Sequence, residues 1–459
     1  MDRISTGRIA DFIGGRHIGA DRFITKITTD SRNCTEGTMF IGIKGERVDG
    51  NDYAASFLQN GGTCAVTEKD IDIPDGKSVI RVGDTRKAIR DIAEYYRTTL
   101  DINIVGVTGS VGKTSTKDML GAVISQGFKT FVTKGNFNNE IGVPLTVFEL
   151  DSTYEKAVIE MGMSNFGEIS RLTKIAKPDV AVITNIGTAH IGNLGSRENI
   201  LKAKLEILEG MPHDGPVVLN GDDDMLWNVR NKIDRRIVYC GIENKDCDFV
   251  AYDIYSDKYG SRFKISIDGY EYEFVINTAG RHHIYNAMTA IVCGLHFGMN
   301  IKDIKKGVGE FAPTGMRQKE IRIGGITLIE DCYNASADSM KSSLETLKSL
   351  CGDTRSIAVL GDMLEQGSFA EKNHRKVGEY AAQYNVGTLV TVGRDAHYIA
   401  DSAKLNGVKN VFEFEDNSSA TDFLSSYVKD GDTVLFKASR GMKFEEISAG
   451  LQELLKGLK

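Results

Sequence analysis

Between about residue 100 and residue 240, short apolar runs alternate with stretches of helical period. "INIVGVT" leads into a glycine-rich loop, and a helix is predicted from Lys113. "KAVIEMG" and "DVAVITN" are buried-type runs that each end in polar residues. This alternation predicts a mostly parallel sheet flanked by helices. From Phe249 to Asn277 the period drops to two. "RFKISIDGYEYEFVI" turns about Asp268-Gly269 and reads as an antiparallel hairpin, an excursion from the central unit. A helix is predicted at "IYNAMTAIVCGLHFG". From about 313 the strand–helix rhythm resumes, with strand candidates "ITLIEDCY", "SIAVLGD", "GTLVTVG", "NVFEF" and "TVLFKAS". That predicts a second α/β unit of Rossmann type. Residues 1 to about 98 form a smaller mixed α/β unit. The fold class is therefore α/β with three domains, at 1–98, 99–312 and 313–459.

Length and charge change this picture little. A chain of 459 residues is too long for one core. Its 56 basic and 63 acidic residues leave a net charge of -7, so no basic field invites nucleic acid and any anion must be held locally. Seven scattered cysteines without a C-x-x-C pair argue against a disulfide framework or a zinc site and favour a reducing compartment. "MDRISTGRIADFIGG" is too charged for a signal peptide, and no apolar run approaches the ~18–20 residues of a membrane span. A soluble, cytoplasmic chain is expected.

"GVTGSVGKTSTKDM" carries the first chemistry. The general phosphate-loop pattern is G-x-x-x-x-G-K-[ST], but Val107 stands where its first glycine belongs. The context is nonetheless right. Glycines let backbone N–H groups face phosphate oxygens, and a helix beginning at Gly112-Lys113 adds its positive end. Lys113 would meet the β- and γ-phosphates, with the Thr114 hydroxyl on Mg²⁺. Asn231-Lys232-Ile233-Asp234 spells a guanine-reading N-K-x-D, but no buried strand precedes it and the one D-x-x-G in between, Asp118 to Gly121, lies in the loop's own helix. The GTPase reading fails, leaving a solvated charge cluster.

Glu160 follows "AVI" at a strand end, where a carboxylate can hold Mg²⁺ or simply be a solvated acid. "TNIGTAH" brings His190 to the end of the next strand, as a ligand or a structural histidine. "LKAKLEIL" reads as a helix whose Lys202 and Lys204 belong by default to an exposed amphipathic face.

Taken in order, "TGSVGKTS", "IEMG", "TNIGTAHIGNLGS", "KAKLEI", "GRHHIYNAMTA" and "DCYNASADSM" resemble the Mur ligases over essentially the whole chain. That family's loop is T-G-[ST]-x-G-K-[TS], which accounts for Val107. "KGNFNNEIGVPLT" and "VLGDMLEQGSFAEKNHRKVG" are similar to the branch that adds D-alanyl-D-alanine to UDP-N-acetylmuramoyl-tripeptide, and "TTDSR" to the family's nucleotide-sugar domain. The resemblance implies an ATP-dependent amide-bond ligase of peptidoglycan precursor synthesis, working through an acyl phosphate. It implies that Thr108, Gly109, Ser110, Val111, Gly112, Lys113, Thr114 and Ser115 cradle ATP, with Asn286, Arg317 and Asp331 touching the nucleotide from the far side. Thr114, Glu160, His190 and a CO₂-derived carbamate on Lys204 would bind a pair of Mg²⁺ ions.

It further implies that Ser31 and Arg32 meet the uridine nucleotide, and that Thr133, Asn138 and Asn139 line the muramoyl-peptide crevice. Tyr333, Asn334, Asp362, Met363, Glu365, Ser439 and Arg440 would face the incoming D-Ala-D-Ala, unless they are strand-end residues that cap the next helix. The chain departs from the family pattern at Cys332, at Ser336-Ala337 where Asn-Pro is common, and at Asn51 where histidine is usual. A monomer acting on small molecules is expected. The alternatives are a sister ligase adding diaminopimelate or lysine, a folylpolyglutamate synthase, and a P-loop binding protein without ligase chemistry.

Overall fold

The computed structural model describes residues 1–457, which form two compact units. The first contains Met1–Thr108, Phe128–Ala181 and Leu205–Pro216; the second contains Gly109–Gly127, Val182–Lys204 and the chain from Val217 onward.

In the first unit a five-stranded sheet runs in the order Arg16–Gly19, Ser78–Arg81, Cys64–Thr67, Thr38–Ile41 and Lys26–Thr28. Its first pair is antiparallel and the rest are parallel, so the N-terminal segment is mixed as expected. Thr130–Val132, Lys156–Glu160 and Asn103–Thr108 then lie side by side and parallel, their apolar runs buried on both faces. Helix Thr85–Thr98 starts where the Asp84 carboxylate accepts the Lys87 N–H. At its other end the buried Arg97 guanidinium donates to the carbonyls of Leu100, Ile102 and Ala176. Three bonds to backbone satisfy a charge that would otherwise be costly to bury.

In the second unit Val217–Asn220, Ile237–Gly241 and Phe249–Val250 continue the parallel pattern. The predicted hairpin is present: Gly260–Ile267 pairs antiparallel with Tyr270–Ile276, and Tyr252–Asp257 joins as a third strand. Asp268 and Gly269 both have positive φ, 49° and 81°, as a two-residue turn of this kind demands. Helix His282–His296 packs on helix Lys113–Ile124. The Thr116 hydroxyl crosses that contact to Asn286 Oδ1 at 2.8 Å.

All five strands expected beyond residue 313 form. The sheet order is Lys319–Ile323, Ile326–Glu330, Thr433–Lys437, Ser356–Gly361, Thr388–Val392 and Asn410–Phe414. Its first strand was not anticipated. Lys319, Glu320 and Arg322 give it a polar texture that suits an antiparallel edge. The pattern's departures are absorbed locally. Ser336 accepts the Ser339 N–H in a reciprocal capping box that starts helix Ala337–Cys351, and Cys332 is buried in the sheet core beside Met316. Asn51 is buried too, its amide oxygen accepting from the Thr67 hydroxyl and the Glu68 N–H.

Candidate functional site

The glycine loop begins at Thr108, the last residue of a buried strand, and ends at the helix that starts at Lys113. Gly109 has φ 151°, and a Cβ there would stand 1.8 Å from Thr184 Oγ1, so no side chain fits. Gly112 turns into the helix at φ 84°. Lys113 Nζ donates to Gly109 O at 2.9 Å, folding its charge over the loop. Thr114 is buried and Ser115 half-buried in the first helical turn. Among the described residues, the buried hydroxyls of Thr108 and Ser110 have no hydrogen-bond partner. Donors of this kind at a helix N-terminus fit a polyphosphate.

Lys204 decides the ambiguity left in its helix, Arg197–Leu205. It is 2 % exposed, whereas Lys202 lies on the solvent side. Burial, reinforced by the charge of Lys113, holds the Lys204 amine well below the usual lysine range. The neutral amine is the nucleophilic form. His190 differs from expectation. Its strand ends at Ile183, and the histidine arrives seven residues later at the start of the short helix Ile191–Leu194, with φ 61°. Its Nδ1 lies 2.9 Å from Glu365 Oε2. Burial and the charge of Lys113 lower its pKa against the pull of Glu365, leaving the neutral imidazole that metals take as a ligand.

A cleft of about 230 Å³ opens in this unit, and six residues singled out in the sequence line it: His190, Tyr333, Asn334, Glu365, Ser439 and Arg440. The Arg317 guanidinium lies over the Tyr333 ring, 3.9 Å from its centroid. Other residues expected here are occupied elsewhere. The Asp362 carboxylate accepts the N–H groups of Ala396 and Arg394, and Met363 is buried in the core. Asp331 pairs with buried Lys437 at 2.8 Å and accepts from the Ser343 hydroxyl. Lys437 went unnoticed in the sequence because "TVLFKAS" reads as an apolar strand. Asn286 spends its amide on Thr116 and His283.

The loop carrying Leu364 and Glu365 is held from behind. Leu364 N–H donates to Ser439 Oγ, and Met363 N–H donates to buried His374 Nε2 at 3.0 Å. His374 Nδ1 sits 2.7 Å from Ala370 O, so the neutral ring is matched at both nitrogens. Burial lowers its pKa below 6.5, outweighing the Ala370 carbonyl and Asp362. The unfolded chain therefore binds this proton more readily. The histidine's stability contribution is complete above about pH 6.5 and shrinks as pH falls below it. Urea unfolding of the wild type and of His374→Gln across that range is expected to show a shallower acid loss in the variant.

In the first unit Glu160 is buried rather than solvated, at 1 % exposure. Asn138 Nδ2 donates to its Oε1 at 2.7 Å, and Thr133 Oγ1 accepts its backbone N–H at 3.1 Å. Glu160 thus meets Thr133 and Asn138, two residues of the expected peptide crevice, at one strand end. Asn139 Oδ1 accepts the N–H groups of Ile141 and Gly142 just before helix Gly142–Phe148. Ser31 and Arg32 lie in a turn just past strand Lys26–Thr28, where Arg32 pairs with Asp30 at the surface.

In the second unit Thr114 offers a hydroxyl and His190 a neutral imidazole, donors that a hard cation accepts. Among the described residues, no three His, Cys, Asp or Glu side chains converge on a metal-sized site. An ion held by that unit's donors would complete its shell with phosphate or other oxygens, the habit of Mg²⁺.

Comparison with known proteins places the chain in a family. Three family models match in succession: "Mur ligase family, catalytic domain" over residues 23–97, "Mur ligase middle domain" over 107–294 and "Mur ligase, glutamate ligase domain" over 316–440. The chain is 38 % identical to the UDP-N-acetylmuramoyl-tripeptide--D-alanyl-D-alanine ligase of Bacillus subtilis, covering 93 % of each. It is 30 % identical to MurF from Acinetobacter baumannii over 99 % of each chain, at a TM-score of 0.90. It is also similar to MurF ligase from Thermotoga maritima in complex with ADP, 26 % identical over 95 % of this chain and 98 % of that one, at a TM-score of 0.84. No helix among the described residues is long and apolar enough to cross a membrane. The three-domain α/β class expected from the pattern holds, and the chain belongs to the Mur ligase family as an ATP-dependent ligase.

Proposed function

We propose that the chain joins D-alanyl-D-alanine to UDP-N-acetylmuramoyl-tripeptide at the expense of ATP, releasing UDP-N-acetylmuramoyl-pentapeptide, ADP and phosphate. The observation that carries this reading is the likeness to the Bacillus subtilis ligase across 93 % of both chains. The cleft lined by Tyr333, Asn334, Glu365 and Arg440 supports it.

A carboxylate does not condense with an amine in water because it is a poor electrophile. Phosphoryl transfer from ATP to the tripeptide's terminal carboxylate gives an acyl phosphate, which the dipeptide's amine displaces through a tetrahedral intermediate. Transfer of this kind is chiefly a matter of alignment and charge neutralisation. Gly109 to Ser115 orient the phosphates, and Lys113 meets their charge. Mg²⁺, held by Thr114, Glu160, His190 and a carbamate on Lys204, supplies further neutralisation when bound. A pair of ions is proposed. The neutral, buried Lys204 amine supports the carbamate, since CO₂ adds to an unprotonated nitrogen. Ser31 and Arg32 are assigned to the uridine nucleotide, and Thr133 and Asn138 to the peptide crevice. The proposed division of labour is nucleotide sugar on 1–98, ATP on 99–312 and dipeptide on 313–459. The enzyme is proposed to act as a cytoplasmic monomer.

The test is phosphate release from purified protein, ATP and Mg²⁺ with each acceptor and amine in turn. Release only with the muramoyl-tripeptide and D-Ala-D-Ala supports the reading; release with a free diamino acid overturns it. With ¹⁸O in the acceptor carboxylate, label is expected in the released phosphate.

A further inference from the structure

Two residues that no role has yet been given hold the phosphate loop in shape. Asn185 Oδ1 accepts the Val111 N–H at 2.9 Å, and Asn185 Nδ2 donates to the Val111 carbonyl at 2.9 Å. The Thr184 hydroxyl donates to the same carbonyl at 2.6 Å, and Asn185 O accepts the Ser110 N–H at 3.0 Å. One side-chain amide therefore grips both polar groups of the loop's central residue. The Thr184 hydroxyl adds a second bond to its carbonyl, and the Asn185 backbone carbonyl secures the flanking Ser110.

The grip is anchored one residue further on. Ile186 N–H donates to Asp223 Oδ2 at 2.8 Å, and the Arg197 guanidinium donates to Ile186 O at 2.8 and 3.0 Å. It also accounts for Gly109: the Thr184 hydroxyl occupies the place where a side chain at 109 would be.

We infer that Thr184 and Asn185 are positioning residues for the nucleotide, acting through Val111 to preset the loop before the phosphates arrive. Neither side chain is given any contact with ATP. A phosphate loop binds through backbone N–H groups whose directions depend on every φ and ψ in it. A loop left free must be ordered by the ligand, and that ordering lowers affinity. An amide that both donates and accepts suits this task, because Val111 offers one acceptor and one donor. Aspartate could satisfy only the donor and would add a negative charge beside the phosphates.

The inference rests on the reading of Gly109–Ser115 as an ATP loop, and the experiment separates the two. Mg·ADP binding is measured by calorimetry on the intact enzyme and on Lys113→Ala, Asn185→Ala, Thr184→Val and Thr184→Ser, together with KM for each substrate. Asn185→Ala is expected to bind Mg·ADP roughly ten- to a hundred-fold more weakly, the effect of one or two lost hydrogen bonds. KM for ATP is expected to rise while KM for D-Ala-D-Ala changes by less than about twofold. Thr184→Val is expected to move the same way, and Thr184→Ser, which keeps the hydroxyl, to restore wild-type binding. Wild-type affinity in both Asn185→Ala and Thr184→Val overturns the inference. So does a uniform loss in which every KM rises and the nucleotide-free melting temperature falls. If Lys113→Ala binds Mg·ADP as well as the wild type does, the ATP-loop reading itself has failed.

Discussion

Lys204→Ala is expected to lower turnover by at least about a hundred-fold, the scale on which removing one preorganised charge-stabilising group acts. Lys202→Ala, two residues away on the same helix, is expected to be nearly silent. The difference comes from burial. Lys204 is 2 % exposed and its amine is driven toward the neutral form, whereas Lys202 faces solvent. An ammonium enclosed there, beside the charge of Lys113, would cost on the order of several kcal/mol. The proposed reaction of the neutral amine with CO₂ would replace that liability with an anion. A short carboxylate added to Lys204→Ala is expected to restore part of the rate, because it returns the missing oxygens without the chain. Steady-state phosphate release, with and without added acetate or propionate, checks both statements. Equal damage from the two alanine variants would mean that Lys204 is a packing residue.

Lys113→Ala is expected to cost more, about a thousand-fold or greater, as when a cation is withdrawn from the developing charge of phosphoryl transfer. Lys113→Arg is expected to recover little of it. The planar guanidinium is not the compact point charge that folds over Gly109, where Nζ now sits 2.9 Å from the carbonyl. The substitution also has an indirect effect. Lys113 helps hold the Lys204 amine below its ordinary range. Without that neighbour more of the amine is protonated, so carbamate formation is expected to weaken as well. Raising the CO₂ concentration is therefore expected to help Lys113→Ala slightly and the wild type not at all. A variant at position 113 with wild-type turnover would remove the basis of the proposed chemistry.

Some of the site was legible before any coordinates. The strand Asn103–Thr108, the glycine loop and the helix from Lys113 follow from local rules: a buried apolar run, residues tolerant of unusual φ, and a helical period. The strand-end position of Glu160 was recognisable for the same reason, because a parallel strand ends where its apolar run ends, but its burial was not. His190 was harder. The polar run after Ile183 looked like a strand end, but Asn185, Gly187 and Thr188 form a loop whose bonds go to Val111 and Asp338, and the histidine follows in a left-handed turn. Asp362 and Met363 share a run with Glu365. Their placement was set by partners 11 to 34 residues away, His374, Arg394 and Ala396.

The periodicity of the chain thus determined the α/β class, the hairpin at Asp268-Gly269 and the phosphate loop, since each depends on neighbours within a few residues. Tertiary packing alone decided which lysine of "KAKLEI" is enclosed. Lys202 and Lys204 lie about 200° apart around one helix, and the helix carries no local sign of which side meets the core. Packing likewise paired Asp331 with Lys437 and set Asn185 against Val111, contacts that span 106 and 74 residues. Burial and long-range hydrogen bonding tuned the chemistry of these groups, and neither is a property of a residue's immediate sequence.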